Sequence, residues 1–412
     1  MKTIESIDTP FDQTITLENQ PSSNIEKLAG ITVAVGVLNA CAESSPPINK
    51  PVDDKILEEC ACMGGTPPPG AGPGAGVTPT PPATVALPAY VGSRRFRSVI
   101  GPSLTLATTM GMTTQTLSDG RNLPVWAFSD TALNSGFNGN RSIPGPTLEI
   151  NQGQLANFTL SSAMPHTIHW HGLDVDQAND GVPSTSGFVA QAIPPMGNFG
   201  RLDPAWVLLG PQYTYSFTAP HAGTYMYHCH VDTVLHMEMG MSGTVIVRPA
   251  DGNENVLWLA GPSFDVEYVW QLHTVDSRWH SSSPMAASGA NTVRHRPNYF
   301  LINGKDGSDL LSDDSVVVSA AANQQVLIRL VNLGYQPANF SLGGTSFTIH
   351  ASDGRPLTNA VSTDVLLIGP GERYDIIFTM PTLTAAANVS IDYLSIRGDV
   401  VLGSAVTELR NI

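Results

Sequence analysis

The strongest constraint on how this chain can fold is a succession of short runs in which apolar and polar residues alternate, each closed off by Gly, Pro, Asn or Asp. TLEIN from Thr147 leads to ANFTL from Ala156, and YTYSFT follows from Tyr213. Further on come VLIRLV from Val326, FTIH from Phe347 and YDIIF from Tyr374. A period of two puts alternate side chains on one face of an extended strand, so each run fits a half-buried strand and not a helix. Many such runs at close spacing predict an all-β chain of antiparallel sandwiches.

Composition agrees with that reading. Charged residues are 13% and hydrophobic ones 42%, while 38 Gly and 32 Pro punctuate the chain too often for long charged helices. With 20 Lys+Arg against 35 Asp+Glu, the net charge of -15 disfavours a phosphate backbone, so nucleic acid is not an expected partner. No run approaches the roughly 18 apolar residues of a membrane span. A length of 412 residues suits two domains or three.

The organisation expected is a leader over residues 1–41, a tether over 42–87, and two sandwiches over 88–250 and 251–412. The cut falls after the strand Thr244 to Arg248. The apolar stretch from Leu28 to Leu38, preceded by Lys27 and followed by Asn39, Ala40 and Cys41, has the short core and small-residue exit of a secretory signal. It resembles a bacterial lipoprotein signal, which implies export to the periplasm or cell surface and a lipid anchor on Cys41. The leading segment departs from that pattern, because Glu5, Asp8, Asp12, Glu18 and Glu26 make it acidic. The alternative is an unrelated leader. TPPPGAGPGAGVTPTPP, from Thr66 to Pro82, has too little apolar surface to offset its ordering entropy and reads as an extended linker. Cys60 and Cys62, with Met63, offer soft ligands for Cu(I) just before it.

The chemistry concentrates in two clusters, MPHTIHWHG from Met164 and YHCH from Tyr227, with His236 and Met241 after the second. His-x-His occurs at these two places alone. On a strand, His169 and His171 share a face, as do His228 and His230, and Cys229 faces the other way. The Cys229 thiolate, the His236 imidazole and the Met241 thioether form a loop able to wrap one soft metal, and His166 arrives from the earlier strand. Two His and one Cys with a weak axial Met are the ligands of a type 1 copper centre. Zinc would favour four good ligands in a tetrahedron, and Met is a poor one. The alternative is that Cys229, Met239 and Met241 are packing residues.

These motifs carry a family resemblance. IPGPT from Ile143, HTIHWHGLDVDQANDGVPSTS from His166, YTYSF from Tyr213 and AGTYMYHCHVDTVLHMEMGMSGTVIV from Ala222 resemble a multicopper oxidase domain, laccase-like, of cupredoxin fold. YFLING from Tyr299, HASDG from His350 and GPGERYD from Gly369 resemble the copper-free middle domain of the same family. The resemblance implies two Greek-key cupredoxin sandwiches, with type 1 copper on His166, Cys229, His236 and Met241. It also implies type 2 and type 3 copper on His169, His171, His228 and His230. Asp180 matches an acidic position that aids proton delivery in the family, although an Asp-Gly turn explains it equally well.

The family's trinuclear cluster uses eight histidines, as four His-x-His pairs from two domains, and this chain supplies two pairs. His273, His280, His295 and His350 in the second half are unpaired and read as structural or surface residues. An oligomer, such as a trimer, or a second protein would have to complete the cluster. The expected function is a copper-dependent oxidoreductase that oxidises a small molecule, a metal ion or a protein donor at type 1 copper and reduces O2. The alternative is a type 1 copper electron-transfer or copper-binding protein without oxidase activity. Nitrite reduction at a single type 2 copper fits the paired histidines less well.

Overall fold

The computed structural model describes residues 94–96, 98–100, 103–108, 113–130, 143–191, 203, 205–280 and 294–412, all within one compact unit spanning residues 81–412. The leader with Cys41, the Cys60 and Cys62 pair and the Pro/Gly linker lie outside the described residues. No helix among the described residues is long and apolar enough to cross a membrane.

In the first half the strands are β1 (Ser98–Ile100), β2 (Ser103–Thr108), β3 (Thr113–Thr116), β4 (Asn122–Val125), β5 (Phe128–Asp130), β6 (Thr147–Asn151), β7 (Leu155–Ser161), β8 (His169–His171), β9 (Gln212–Thr218), β10 (Gly223–His228) and β11 (Ser242–Arg248). Two short helices, α1 (Pro183–Ser186) and α2 (Thr233–Glu238), interrupt them. The second half adds β12 (Val266–Val275), β13 (Tyr299–Ile302), β14 (Val318–Ala320), β15 (Gln325–Asn332), β16 (Ala338–Ser341), β17 (Phe347–Ser352), β18 (Arg355–Thr363), β19 (Val365–Ile368), β20 (Arg373–Thr379), β21 (Ala387–Leu394) and β22 (Val401–Asn411).

Each half is a two-sheet sandwich of cupredoxin-like form. The first stacks β1-β6-β11-β10-β8 on β5-β2-β7-β9, and the second stacks β13-β12-β15-β20-β17-β18 on β14-β22-β21-β16-β19. The alternating runs from Thr147, Ala156, Tyr213, Val326, Phe347 and Tyr374 all lie on strands. Their direction differs from the antiparallel expectation in part. Every one of the four sheets contains a parallel pair, such as β6 with β11, β2 with β7, β12 with β15 and β14 with β22. Alternation reports that one face of a strand is buried and is silent about which way its neighbour runs.

The first core gathers Leu148, Phe158, Trp170, Tyr215, Phe217, Tyr227 and Val245, and the second gathers Tyr268, Trp270, Ile328, Phe340, Ile376 and Tyr393. β10 is buried along its whole length because one face fills the first core and the other meets the second half.

Charge, unusually, joins the halves. Arg248 at the end of β11 donates to Glu149 on β6 at 2.6 Å and, through both terminal nitrogens, to Glu267 on β12 at 2.8 and 2.9 Å. Arg329 on β15 donates to Glu267 at 2.6 Å and to the Thr224 hydroxyl on β10 at 2.8 Å. All four charged residues are at most 3% exposed. Burial pushes the Glu267 carboxyl up, but Arg248 and Arg329 together hold it below its ordinary value.

Removing one partner of a buried ion pair typically costs about 3–5 kcal/mol, because the other charge is left unpaired. Arg248→Ala should therefore lower the urea midpoint of unfolding by a corresponding amount. Because the folded Glu267 value is depressed, its contribution is complete above the unfolded value of 4.5 and is lost as pH falls below it. Glu267→Gln should accordingly flatten the acid limb of the stability profile, measured by thermal melts between pH 3 and pH 7.

Candidate metal centre

The site grows out of the pairing of β8 with β10. His228 lies opposite His169, Tyr227 opposite Trp170 and Met226 opposite His171. Alternation then sorts the side chains. Trp170 and Tyr227 turn into the first core with ring centroids 6.1 Å apart, and Cys229, just past the end of β10, joins the same cluster. The histidines turn the other way, with the His228 ring 5.1 Å from that of His169 and 5.6 Å from that of His171.

On the core side, the Cys229 sulfur lies 3.0 Å from His236 Nδ1 and 3.5 Å from His166 Nδ1, and the two ring nitrogens are 3.3 Å apart. Main-chain bonds hold the three in place. His166 exchanges two backbone hydrogen bonds with Val189, the Cys229 amide donates to the Met241 carbonyl at 3.0 Å, and the Met241 amide donates to the His236 carbonyl at 2.9 Å. Asp232, in a left-handed conformation at φ 44°, reverses the chain between Cys229 and α2, which brings His236 back over the thiol. Met241 packs in the cluster that contains Cys229, whereas Met239 packs against Leu235 and Trp279. Gly240 separates the two methionines at φ 103°, where a Cβ would lie 1.8 Å from an Ile143 methyl carbon.

Burial sets the chemistry of this group. It pushes the Cys229 thiol up to about 12 and His166 down to about 3, and it drives His236 well below its usual value with help from His166. Neutral imidazoles with converging lone pairs beside a thiol that cannot ionise alone make a poor hydrogen-bonding set and a good metal site. A soft cation would reverse the cost of the thiolate. Bonds of roughly 2.0–2.3 Å from one ion to nitrogen and sulfur, spread at about 120°, separate the donors by about 3.5–4 Å. The spacing present needs only a slight expansion, so the residues fit copper in a His-His-Cys plane.

On the other side, His169, His171 and His228 bring ring nitrogens within 4.8 Å of one another. His228 Nδ1–H donates to the Cys229 carbonyl at 3.0 Å, which leaves its Nε2 a lone pair that faces His171 Nδ1 at 3.3 Å. His169 Nδ1–H donates to the Asp180 carbonyl at 2.8 Å, with an Asp180 carboxylate oxygen at 3.3 Å, so its Nε2 carries the lone pair. Such second partners fix a histidine's tautomer for ligation. Gly181 at φ 75° permits the approach, since a Cβ there would lie 1.8 Å from the Ile168 carbonyl oxygen. His230 stands slightly apart, its ring 5.3 Å from that of His169 and stacked 5.9 Å from that of His228. Burial lowers His171 to about 4, with Arg373, His169 and His230 adding to it, and drives His228 well below its usual value.

The histidines of the second half are in neither group. His273 reaches the Thr274 and Met237 carbonyls, and His280 and His295 flank the carboxylate of Glu238 at 3.4 and 3.0 Å. His350, on β17, is half-buried. Glu238 escaped sequence reasoning, although one signal was present: it is the only charged acid in the run LHMEMGM from Leu235. Burial would raise its carboxyl, but the hydrogen bond from His295 and the facing His280 outweigh that and hold it at about 2. Trp126, whose ring meets that of His236 edge-on at 5.2 Å, was missed as well, because nothing in the sequence links it to the later cluster.

A buried thiol and two imidazoles on a β-sandwich, with a thioether in the same core, define a class: a copper protein of cupredoxin fold. Two family models, both described as multicopper oxidase, match residues 107–251 and 273–389. Laccase-20 of Oryza sativa subsp. japonica is 28% identical over 254 residues, and Oxidoreductase OpS5 of Beauveria bassiana is 31% identical over 258. Each match covers 58% of this chain and 38% of the relative, so the chain spans well under half the length of these curated relatives. The solved blue copper oxidase of Nitrosomonas europaea shares the fold with a TM-score of 0.55 and 24% identity, covering 75% of this chain and 85% of that one. The chain belongs to the multicopper oxidase family, and its cofactor is copper.

Cys229→Ser should abolish the blue absorption of copper-loaded protein and leave the sandwich folded, because a hydroxyl is a poor ligand for a soft covalent bond. His236→Ala should damage the same band and His171→Ala should spare it. Absorption spectra beside far-ultraviolet circular dichroism check all three.

Proposed function

We propose that this protein couples one-electron oxidation of a reductant to reduction of dioxygen, with type 1 copper on His166, Cys229, His236 and Met241 and type 2 and type 3 copper on His169, His171, His228 and His230. Copper, when bound, supplies the one-electron chemistry at the first site and the oxygen chemistry at the second. The protein supplies the rest. His228 and His230 are the bonded neighbours of Cys229, so a covalent path links the sulfur to imidazoles on the opposite face. Trp126, half-buried against His236, marks the side on which a small-molecule, metal-ion or protein donor would approach. Asp180, its side chain 30% exposed and 3.3 Å from His169 Nδ1, would hold protons that dioxygen needs on its way to water.

What carries the reading is the convergence of Cys229, His166 and His236 within 3.5 Å, one residue along the chain from the second histidine group. Because the chain holds two His-x-His pairs where the family's cluster takes four, the reading includes a homo-oligomer, such as a trimer, or a partner that completes the site. It further includes a domain boundary near residue 250, export to the periplasm or cell surface, and a lipid anchor on Cys41, all supported by the sequence patterns alone.

Copper-reconstituted protein should hold more than one copper per chain and take up oxygen with a dye reductant, as measured by metal analysis and an oxygen electrode. One copper per chain without oxygen uptake would instead leave an electron-transfer protein.

A further inference from the structure

The loop from His236 to Met241 carries two of the four proposed type 1 ligands, and the second half holds its three central residues, Met237, Glu238 and Met239. Tyr335 donates its hydroxyl proton to the Val234 carbonyl. His273 Nε2 contacts the Met237 carbonyl at 3.1 Å, and Met239 packs against Trp279. From the first half, the Trp126 amide donates to the Met239 carbonyl at 2.7 Å. Glu238 lies at the centre of this grip and is fully buried. Its carboxylate accepts the Asp276 amide at 2.6 Å and meets His280 Nε2 at 3.4 Å and His295 Nε2 at 3.0 Å. His280 is aimed by its own second bond, in which Nδ1–H donates to the Pro124 carbonyl at 2.7 Å.

A buried carboxylate costs free energy that a leucine or methionine would not, and the flanking residues Met237 and Met239 show that apolar side chains fill this loop readily. The geometry points to Glu238 as a positioning residue for the type 1 site: its carboxylate, held between the Asp276 amide and the His280 and His295 imidazoles, locks the ligand loop to the second half. This role rests on the copper reading proposed above. Residues that fix the position of a ligand tune the bound metal.

The test uses the full chain, apo and copper-loaded. Glu238→Gln keeps the shape and can still accept the Asp276 amide. It should retain the copper stoichiometry but bind copper about 10–100-fold more weakly in competition with a chelator. Its reduction potential and its blue band should both shift from the parent values, with Glu238→Asp lying between variant and parent. Affinity, potential and band unchanged from the parent would overturn the role even if the melting temperature fell. If Glu238→Gln does not fold, His295→Gln loosens the clamp from its partly exposed side, and an unaltered affinity and potential there overturns the role equally. A parent protein that takes up no copper defeats the copper reading and this role together, whereas a copper-binding parent with an indifferent Glu238→Gln defeats this role alone.

Discussion

Low-dielectric surroundings penalise charge, and at Cys229 hydrogen bonds with Thr167 and Val231 fall short of offsetting the penalty. The thiol is fully buried, its nearest polar neighbours are two imidazoles that burial also keeps neutral, and each of the three can become a strong donor only toward a cation. The arrangement therefore has a chemical direction built into it. It would stabilise a metal at the meeting point of the three atoms and offers little to anything else. The core depends on the same residues, since Cys229 and Met241 pack with Trp170, Tyr227 and Val245, so the site and the hydrophobic interior of the first sandwich are one object.

Strand alternation extends this to the other face. Because Cys229 follows His228 directly, turning the thiol inward turns the imidazole outward, toward His169 and His171 on the neighbouring strand. The two groups of donors are thus held on opposite sides of a single stretch of backbone. The inner group is closed by packing. The outer group is only half-buried at His169, His171 and His230, which leaves room for whatever completes it.

The second sandwich has no part in either donor group, yet it shapes the first. A helix as short as α2 has no stability of its own, and the residues that hold it come from Asp276, His280, His295 and Tyr335. Elsewhere the halves are joined by Arg248, Glu267 and Arg329, a buried ionic chain that tolerates little displacement because each charge needs its partners at hydrogen-bonding distance. Rigid docking of this kind passes the position of one sandwich to the ligand loop of the other.

Much of this was legible beforehand. Period-two runs marked β6, β7, β9, β15, β17 and β20, and alternation through YHCH put Cys229 on the face opposite His228, because short-range pattern decides which face of a strand a side chain takes. The direction of strand pairing, the helical form of residues 233–238, the separate fates of Met237, Met239 and Met241, and the burial of Glu238 between His280 and His295 were not legible. Each depends on residues brought together from distant parts of the chain. The sequence by itself determined the donor chemistry and the faces on which donors appear, since these follow from residue type and a local repeat. Only the tertiary structure decided which donors meet and what holds them there, because distance between side chains far apart in sequence is set by packing and not by pattern.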